Sequence, residues 1–336
     1  MSGHSRIDAP TSPARTEPAS RWLAPSLLAG LLAHGLPAAR ERGRPRRAFW
    51  VLSDLRVDLR PDHALPDPLP DFDALLVAGN LGPGLGASLA WLARALDGRH
   101  GGRPVCVVPG NVEYRSGVPM AEALARGRDL AAELGLVLLS DDAFRFGPSH
   151  GDGTVVVGAT LWTDWQLRAS QEKPRARVVA RTAWEEAGRI ELRRGRSLTP
   201  LDSLAMHARS RAFIEDALTS VAFGALGFPP GRNACVDVAR PGDEAVVLTC
   251  HAPTPRSLPV DWEGWHADGW VAAALASEAA AAMEAWGAPA LWVHGNVPAA
   301  VDHRLGRTRV VANPRAAGRG HASAAPAFDP NRVVTA

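Results

Sequence analysis

The sequence is poor in cysteine and in lysine. Its three cysteines, Cys106, Cys235 and Cys250, are too scattered for a disulfide framework or a paired C-x-x-C zinc site. We therefore expect a protein of the reducing cytoplasm. Lys173 is the only lysine, so almost all of the 37 basic residues are arginines. We attribute that bias to overall base composition rather than to a site.

Long hydrophobic runs and an excess of one charge are also lacking. The apolar stretch at residues 22–36 is too short to span a bilayer and has no small-x-small cleavage site, so we expect a short surface helix there. The formal net charge of +2 gives no field that would favour nucleic acid or anionic lipid. The sequence therefore predicts neither a membrane partner nor a nucleic-acid partner.

What the sequence does contain is enough apolar residues, 46%, for a full core. Residues 1–45, rich in Pro, Ala and Arg, predict a flexible leader with one short helix. Residues 46–336 predict one large domain, in which short, continuously apolar runs alternate with helical stretches. Such runs are typical of parallel strands that are buried on both faces. The predicted class is therefore α/β.

Six runs are predicted to be buried strands, and the last part of the chain to be a hairpin at residues 301–312. The predicted strands are Phe49–Leu52, Ala74–Ala78, Val105–Val108, Thr154–Trp162, Ala245–Thr249 and Ala290–Val293. Residues 165–230 predict a helical cap inserted between strands, because Thr199-Pro200-Leu201-Asp202 has the form of a capping box.

Short polar segments follow five of these strands. They read Asp54-Leu55-Arg56, Gly79-Asn80, Gly110-Asn111-Val112-Glu113, Cys250-His251 and His294-Gly295-Asn296. Because right-handed crossovers place the carboxyl ends of parallel strands at one edge, we expect these residues to gather in a pocket there. Considered one at a time, each asparagine is more simply explained as a turn residue, and each histidine as a hydrogen-bonded residue that lines the pocket.

The order and spacing of the five segments resemble the calcineurin-like metallophosphoesterases, whose motifs run D-x-H, G-D, G-N-H-[DE], H-[HQ] and G-H-x-H. The resemblance covers residues 48–335. It implies a four-layer α/β/β/α sandwich of two packed mixed sheets with flanking helices. It also implies a pair of divalent metals at the strand ends, where active members hydrolyse phosphoesters with a metal-activated water.

Within that resemblance, the first two segments depart from the motif. Asp54 matches the family's aspartate, but Arg56 stands where a metal-binding histidine belongs. A guanidinium stays protonated and has no lone pair for a metal. Asn80 replaces the aspartate that bridges the two metals, and an amide oxygen is a weak, neutral ligand.

The other three segments depart as well. Asn111 and Glu113 match the motif, while Val112 replaces the histidine that assists the leaving group. The ligand histidine of the fourth motif falls on Cys250, with His251 beside it, and a thiolate would suit a soft metal such as zinc. The last motif has Asn296 and Pro298 in place of both histidines, and His294 precedes it.

These substitutions predict a catalytically inactive protein, a pseudoenzyme that keeps a strand-end pocket for binding or scaffolding. We expect no catalytic residue and no cofactor. We also expect Arg56 to turn into the vacated metal site and pair with Asp54, where a phosphate-like anion could bind. Metal ligands would then be limited to Asp54, Asn111 and Cys250.

Two alternatives stay open. The first is a metal-dependent phosphoesterase with a reduced site that holds a single Zn, Mn or Fe ion. The second is an interaction protein that acts through another surface, such as the tryptophans Trp262, Trp265 and Trp270. The sequence identifies no substrate, partner protein or oligomeric state.

Overall fold

The first sheet combines four parallel strands with one antiparallel edge strand. A computed structural model describes residues 46–167, 173–184, 186–232, 234–260, 270–315 and 327–336. From edge to edge, the strands of this sheet are β13 (Val333–Thr335), β1 (Ala48–Leu52), β2 (Ala74–Val77), β3 (Val105–Val107) and β4 (Val137–Leu138). The predicted leader, Trp262 and Trp265 lie outside the described residues.

The second sheet has four parallel strands at its centre and an antiparallel strand at each edge. From edge to edge its strands are β11 (Val301–Leu305), β12 (Thr308–Ala312), β10 (Leu291–His294), β9 (Glu244–Thr249), β6 (Thr154–Ala159) and β5 (Asp142–Phe146). The predicted hairpin is confirmed, because β11 and β12 pair from Val301 opposite Ala312 to Leu305 opposite Thr308.

Alternating side chains of these strands build two kinds of core. In β1, Phe49 and Val51 pack towards the second sheet, in a cluster that includes Val246 and Leu248. The intervening residue Trp50 packs the other way, among helical leucines. Both faces of the strand are therefore buried, which explains why its sequence is continuously apolar.

Helices cover the outer face of each sheet. The first sheet is covered by α1 (Leu85–Leu96) and α2 (Met120–Glu133). Residues of α5 (Pro200–Ala225) and α7 (Ala280–Glu284) pack against the second. The layers are thus α/β/β/α, as predicted. None of the described helices is long and apolar enough to cross a membrane.

Between β6 and β9, the residues that the structure describes form helices and one short hairpin. The elements are α3 (Lys173–Ala183), α4 (Glu186–Arg189), β7 (Glu191–Arg193), β8 (Arg196–Ser197) and α5. The capping box is confirmed, since Asp202 N donates to Thr199 and the Asp202 side chain accepts from Thr199 N. Further on, a short helix, α6 (Val271–Leu275), precedes α7.

Boundary errors in the predicted strands occur where the chain turns sharply. The strand predicted to run from Thr154 to Trp162 ends at Ala159. Leu161 and Trp162 have left-handed backbones, with φ of 69° and 53°. Both side chains stay buried, so apolar character continues after the strand geometry has ended.

Candidate functional site

A sharp turn follows each of three strands at the predicted edge. Asp54, Asn80 and Asn296 come after β1, β2 and β10, and their φ values are 51°, 58° and 56°. Asp and Asn tolerate this left-handed conformation better than other residues with a side chain. The turns bring together side chains from both sheets.

Asp54, Asn80 and Asn296 form one hydrogen-bonded network. Asn80 Nδ2 donates to Asp54 Oδ1 at 2.9 Å and to Asn296 Oδ1 at 3.1 Å. The backbone N–H of Asn296 donates to Asp54 Oδ2 at 2.9 Å. Asp54 and Asn80 are almost fully buried. The network therefore ties the strand ends of the first sheet to those of the second.

The orientation of the Asn80 amide is fixed by its partners. Val112 N donates to Asn80 Oδ1 at 3.1 Å, and a backbone N–H can only donate. A flipped amide would place its NH₂ against that N–H and its oxygen against the Asp54 carboxylate. Asn80 must therefore present its NH₂ group to Asp54 and Asn296.

Glu113 holds two loops together through its buried carboxylate. Oε2 accepts from the backbone N–H groups of Asn80 at 3.0 Å and Gly110 at 2.8 Å. Oε1 accepts from Leu81 N at 2.6 Å. The side chain therefore crosslinks the turns that follow β2 and β3, and it is committed to backbone donors.

Glycines let the strand ends approach one another closely. A Cβ atom at Gly110 would lie 2.2 Å from Asn80 Oδ1 and 2.7 Å from Cys250 Sγ. A Cβ atom at Gly295 would lie 2.7 Å from Asp54 Oδ2. Cys250 is thus brought to the network, at a fully buried position.

The two predicted histidines lie in the wall around this network. His251 Nδ1 lies 3.2 Å from the carbonyl oxygen of Thr160, so Nδ1 must carry the proton. The His251 ring stacks on Trp162, with 5.5 Å between ring centroids. His294 Nδ1 lies 3.0 Å from the carbonyl oxygen of Gly295, and Ser257 Oγ lies 2.8 Å from His294 Nε2.

Arg56 does not pair with Asp54, and that prediction is wrong. Its Nε and Nη2 atoms donate to the two carboxylate oxygens of Asp58 at 2.9 and 2.8 Å. The two partners lie two residues apart in one loop, and this bidentate geometry is the best that a guanidinium can make. Asp54 accepts from amide and backbone donors instead.

The structure also places the other predicted residues. Asn111 precedes the 3₁₀ turn Val112–Tyr114, and Val112 contributes its backbone N–H to the network. Pro298 is buried beyond Asn296. Of the predicted tryptophans, Trp270 is described, and it packs partly buried against the cluster that contains Trp162.

Sequence reasoning missed three side chains that complete the surroundings of the site. Thr160 Oγ1 donates to Pro109 O at 2.7 Å and joins the two sheets, and Ser257 supports His294. Arg315 Nη1 donates to Leu55 O at 2.7 Å and fixes the loop that carries Arg56. No motif or spacing in the sequence assigns Thr160 or Arg315 a role.

Burial sets the charge state of the ionisable groups. It raises the pKa of Asp54 to about 6, against hydrogen bonds from Asn80, Asn296 and Ser53 that lower it. It also raises the pKa of Glu113. For His251 and His294, burial lowers the pKa to about 4, so both imidazoles are neutral at pH 7.

The described residues of this site do not include the usual set of metal-ligating side chains. Across the described ranges, no group of three or more His, Cys, Asp or Glu side chains is placed to hold a metal ion. The predicted residual ligands are Asp54, Asn111 and Cys250, of which only two belong to these residue types. The site is rich in hydrogen-bond donors and poor in free anionic oxygens.

Neither a family model nor a curated protein matches the sequence. Solved structures do match. The fold resembles that of a phosphopantetheinyl hydrolase. That protein, from Mycobacterium tuberculosis, aligns with a TM-score of 0.50 and 16% identity over 81% of this chain and 90% of its own. The predicted metallophosphoesterase-type sandwich is therefore confirmed as a fold.

A more distant match is a Staphylococcus aureus structure described as that of a 5′-nucleotidase in complex with alpha-ketoglutarate. It aligns at 11% identity, with a TM-score of 0.38, over 80% of this chain and 49% of its own. That similarity is too low to support an argument. At these identities the comparison concerns the fold and not the reaction.

Proposed function

We propose that this chain is a metallophosphoesterase-fold protein that does not hydrolyse phosphoesters and acts as a binding or scaffolding module. The observation that carries the proposal is the orientation of Asn80. A bridging position between two divalent ions requires an anionic oxygen, whereas Asn80 directs its NH₂ group at Asp54 and Asn296.

The other candidate metal ligands support the same proposal. Glu113 accepts from three backbone N–H groups, and each imidazole is hydrogen-bonded through Nδ1 to a backbone carbonyl oxygen. Arg56 offers no lone pair. The donor set therefore does not fit a pair of divalent ions, and we derive no hydrolytic step from it.

A phosphate-like anion is also disfavoured at the centre of the network. It would face the buried carboxyl groups of Asp54 and Glu113, while the charge of Arg56 is shared with Asp58. An anion and a buried carboxylate repel each other strongly because little water screens their charges. We therefore propose that recognition of any anion takes place on another surface.

Metal content tests the proposal directly. The protein, purified without chelator and incubated in turn with Mn²⁺, Zn²⁺ and Fe²⁺, should retain less than about a tenth of an equivalent by mass spectrometry, because a two-metal mechanism needs both ions. Turnover of bis-p-nitrophenyl phosphate, and of a phosphopantetheinyl phosphodiester suggested by the fold neighbour, should be absent.

The test variant is Asp54→Ala, and its matched control is Asp71→Ala, which removes an exposed carboxylate. One tightly held equivalent, lost in Asp54→Ala but not in Asp71→Ala, together with metal-dependent turnover, would overturn the proposal. That outcome would instead establish the reduced single-metal hydrolase, with Cys250 as its soft ligand.

A further inference from the structure

The near-neutral net charge of the chain hides an uneven distribution. Residues 173–211 contain ten basic and four acidic residues, whereas the whole chain contains 37 and 35. The rest of the chain therefore carries 27 basic and 31 acidic residues. Two of the six excess positive charges are offset by carboxylates outside the segment, since Arg209 pairs with Asp141 and Arg211 with Glu215. The whole-chain net charge of +2 predicted no field for a polyanion, but the remaining local excess of four favours one.

The most exposed part of this segment is the hairpin β7–β8. Its strands pair Glu191 with Ser197 and Arg193 with Arg196. Gly195 makes the turn with φ of 70°, and its N–H donates to Glu191 Oε1 at 2.6 Å. Residues 193–197 are all exposed, whereas Leu192 packs partly buried beside the core of the cap. The turn is thus fixed and its arginines face water.

The arginines at this hairpin are incompletely neutralised. Arg196 pairs with Asp202 at 2.6 Å. Arg193 and Arg194 have neither an ion pair nor a side-chain hydrogen bond to any residue that the structure describes. Like charges directly opposite each other in a β-ladder are destabilising. A bound anion would relieve the repulsion between Arg193 and Arg196.

We propose that the hairpin tip, residues 193–196, binds the phosphate backbone of a nucleic acid. Arginine suits phosphate because its planar fork donates two parallel hydrogen bonds. A two-stranded ribbon is also narrow enough to enter a major groove. An anionic lipid surface fits less well, because residues 193–197 include no apolar side chain that could insert. The proposal is independent of what the strand-end network does.

Fluorescence anisotropy of the full chain with labelled 20-bp duplex DNA and 20-nt RNA of mixed sequence tests it, and the two probes separate DNA from RNA. Arg193→Ala/Arg194→Ala should weaken binding roughly ten- to fiftyfold at 100 mM NaCl. The slope of log K against log [NaCl] should fall by about two for duplex DNA, since two phosphate contacts are lost. Arg193→Lys/Arg194→Lys should keep most of the slope.

The matched control is Arg304→Ala/Arg307→Ala, which removes two exposed arginines at the end of the hairpin β11–β12. An equal loss in that control would overturn the proposal, because the effect would be one of net charge. No measurable binding by the wild type would also overturn it. The proposal would also be overturned if polyglutamate competed as well as nucleic acid does. It would be overturned, too, if the hairpin arginines supported binding to anionic vesicles but not to nucleic acid.

Discussion

The two sheets end in opposite chemistry at the edge where they meet. The first sheet contributes carboxyl groups, Asp54 and Glu113, which accept hydrogen bonds from amide and backbone donors. The second contributes imidazoles, His251 and His294, held by carbonyl oxygens and by Ser257. Both sets are buried, yet the carboxyl groups accept hydrogen bonds within the shared network, whereas the imidazoles lie in the wall around it.

The difference teaches how hydrogen bonds accommodate buried polar groups of opposite character. A buried carboxylate needs several donors, so Glu113 is crosslinked to three backbone positions. A neutral imidazole needs only one donor and one acceptor, and His294 has both. The carboxyl groups at the strand ends of the first sheet and the imidazoles at those of the second should therefore differ in two ways. Substitutions should lower stability by different amounts, and stability should depend on pH with opposite sign.

Truncation of Glu113 should give the largest effect. Glu113→Ala leaves three buried backbone N–H groups without an acceptor and should lower the free energy of unfolding by about 3–5 kcal/mol, since each unsatisfied group costs about 1–3 kcal/mol. Urea unfolding measures the loss. The exposed Glu133→Ala in α2 is the control and should change stability by less than about 0.5 kcal/mol. Similar values for both would contradict the crosslink.

The contributions of Asp54 and His251 to folding stability should change with pH in opposite directions. The folded pKa of Asp54 is raised to about 6, so its contribution to stability is present below its unfolded value and lost as pH rises through 6. The folded pKa of His251 is lowered to about 4, so its contribution is present above its unfolded value and lost as pH falls.

Urea unfolding at pH 4.5, 5.5, 6.5 and 7.5 checks this contrast. The stability gap between wild type and Asp54→Asn should narrow as pH rises, by at most about 1.4 kcal/mol per pH unit. The gap between wild type and His251→Gln should widen over the same range. Asp71→Asn, at an exposed position, should give a flat difference. Gaps that move in the same direction would refute the contrast.

The smallest effect should come from the Arg56–Asp58 pair. Both side chains are partly exposed, at 21% and 26%, so Arg56→Ala should cost less than about 1 kcal/mol and less still at 1 M NaCl. A double-mutant cycle with Asp58→Ala should recover most of that cost as coupling. If Arg56 supported Asp54 instead, the coupling would appear with Asp54→Asn.

The sequence predicted most of the fold because its signals were local. The continuously apolar strands of the first sheet depend on patterns within a few residues. The antiparallel strand β13 was missed, since its three residues pair with β1 almost 300 positions away. The hairpin β7–β8 was also missed, within a segment that reads as helical.

For the site, the sequence by itself determined which side chains follow the strand ends. Only the tertiary structure decided how those side chains are satisfied. Arg56 pairs with Asp58 rather than Asp54, although both lie two residues from it in the chain, while Asn80 and Asn296 reach Asp54 from two other strands. Spacing along the chain does not encode which of several donors a buried carboxylate meets, because that choice depends on how the two sheets pack.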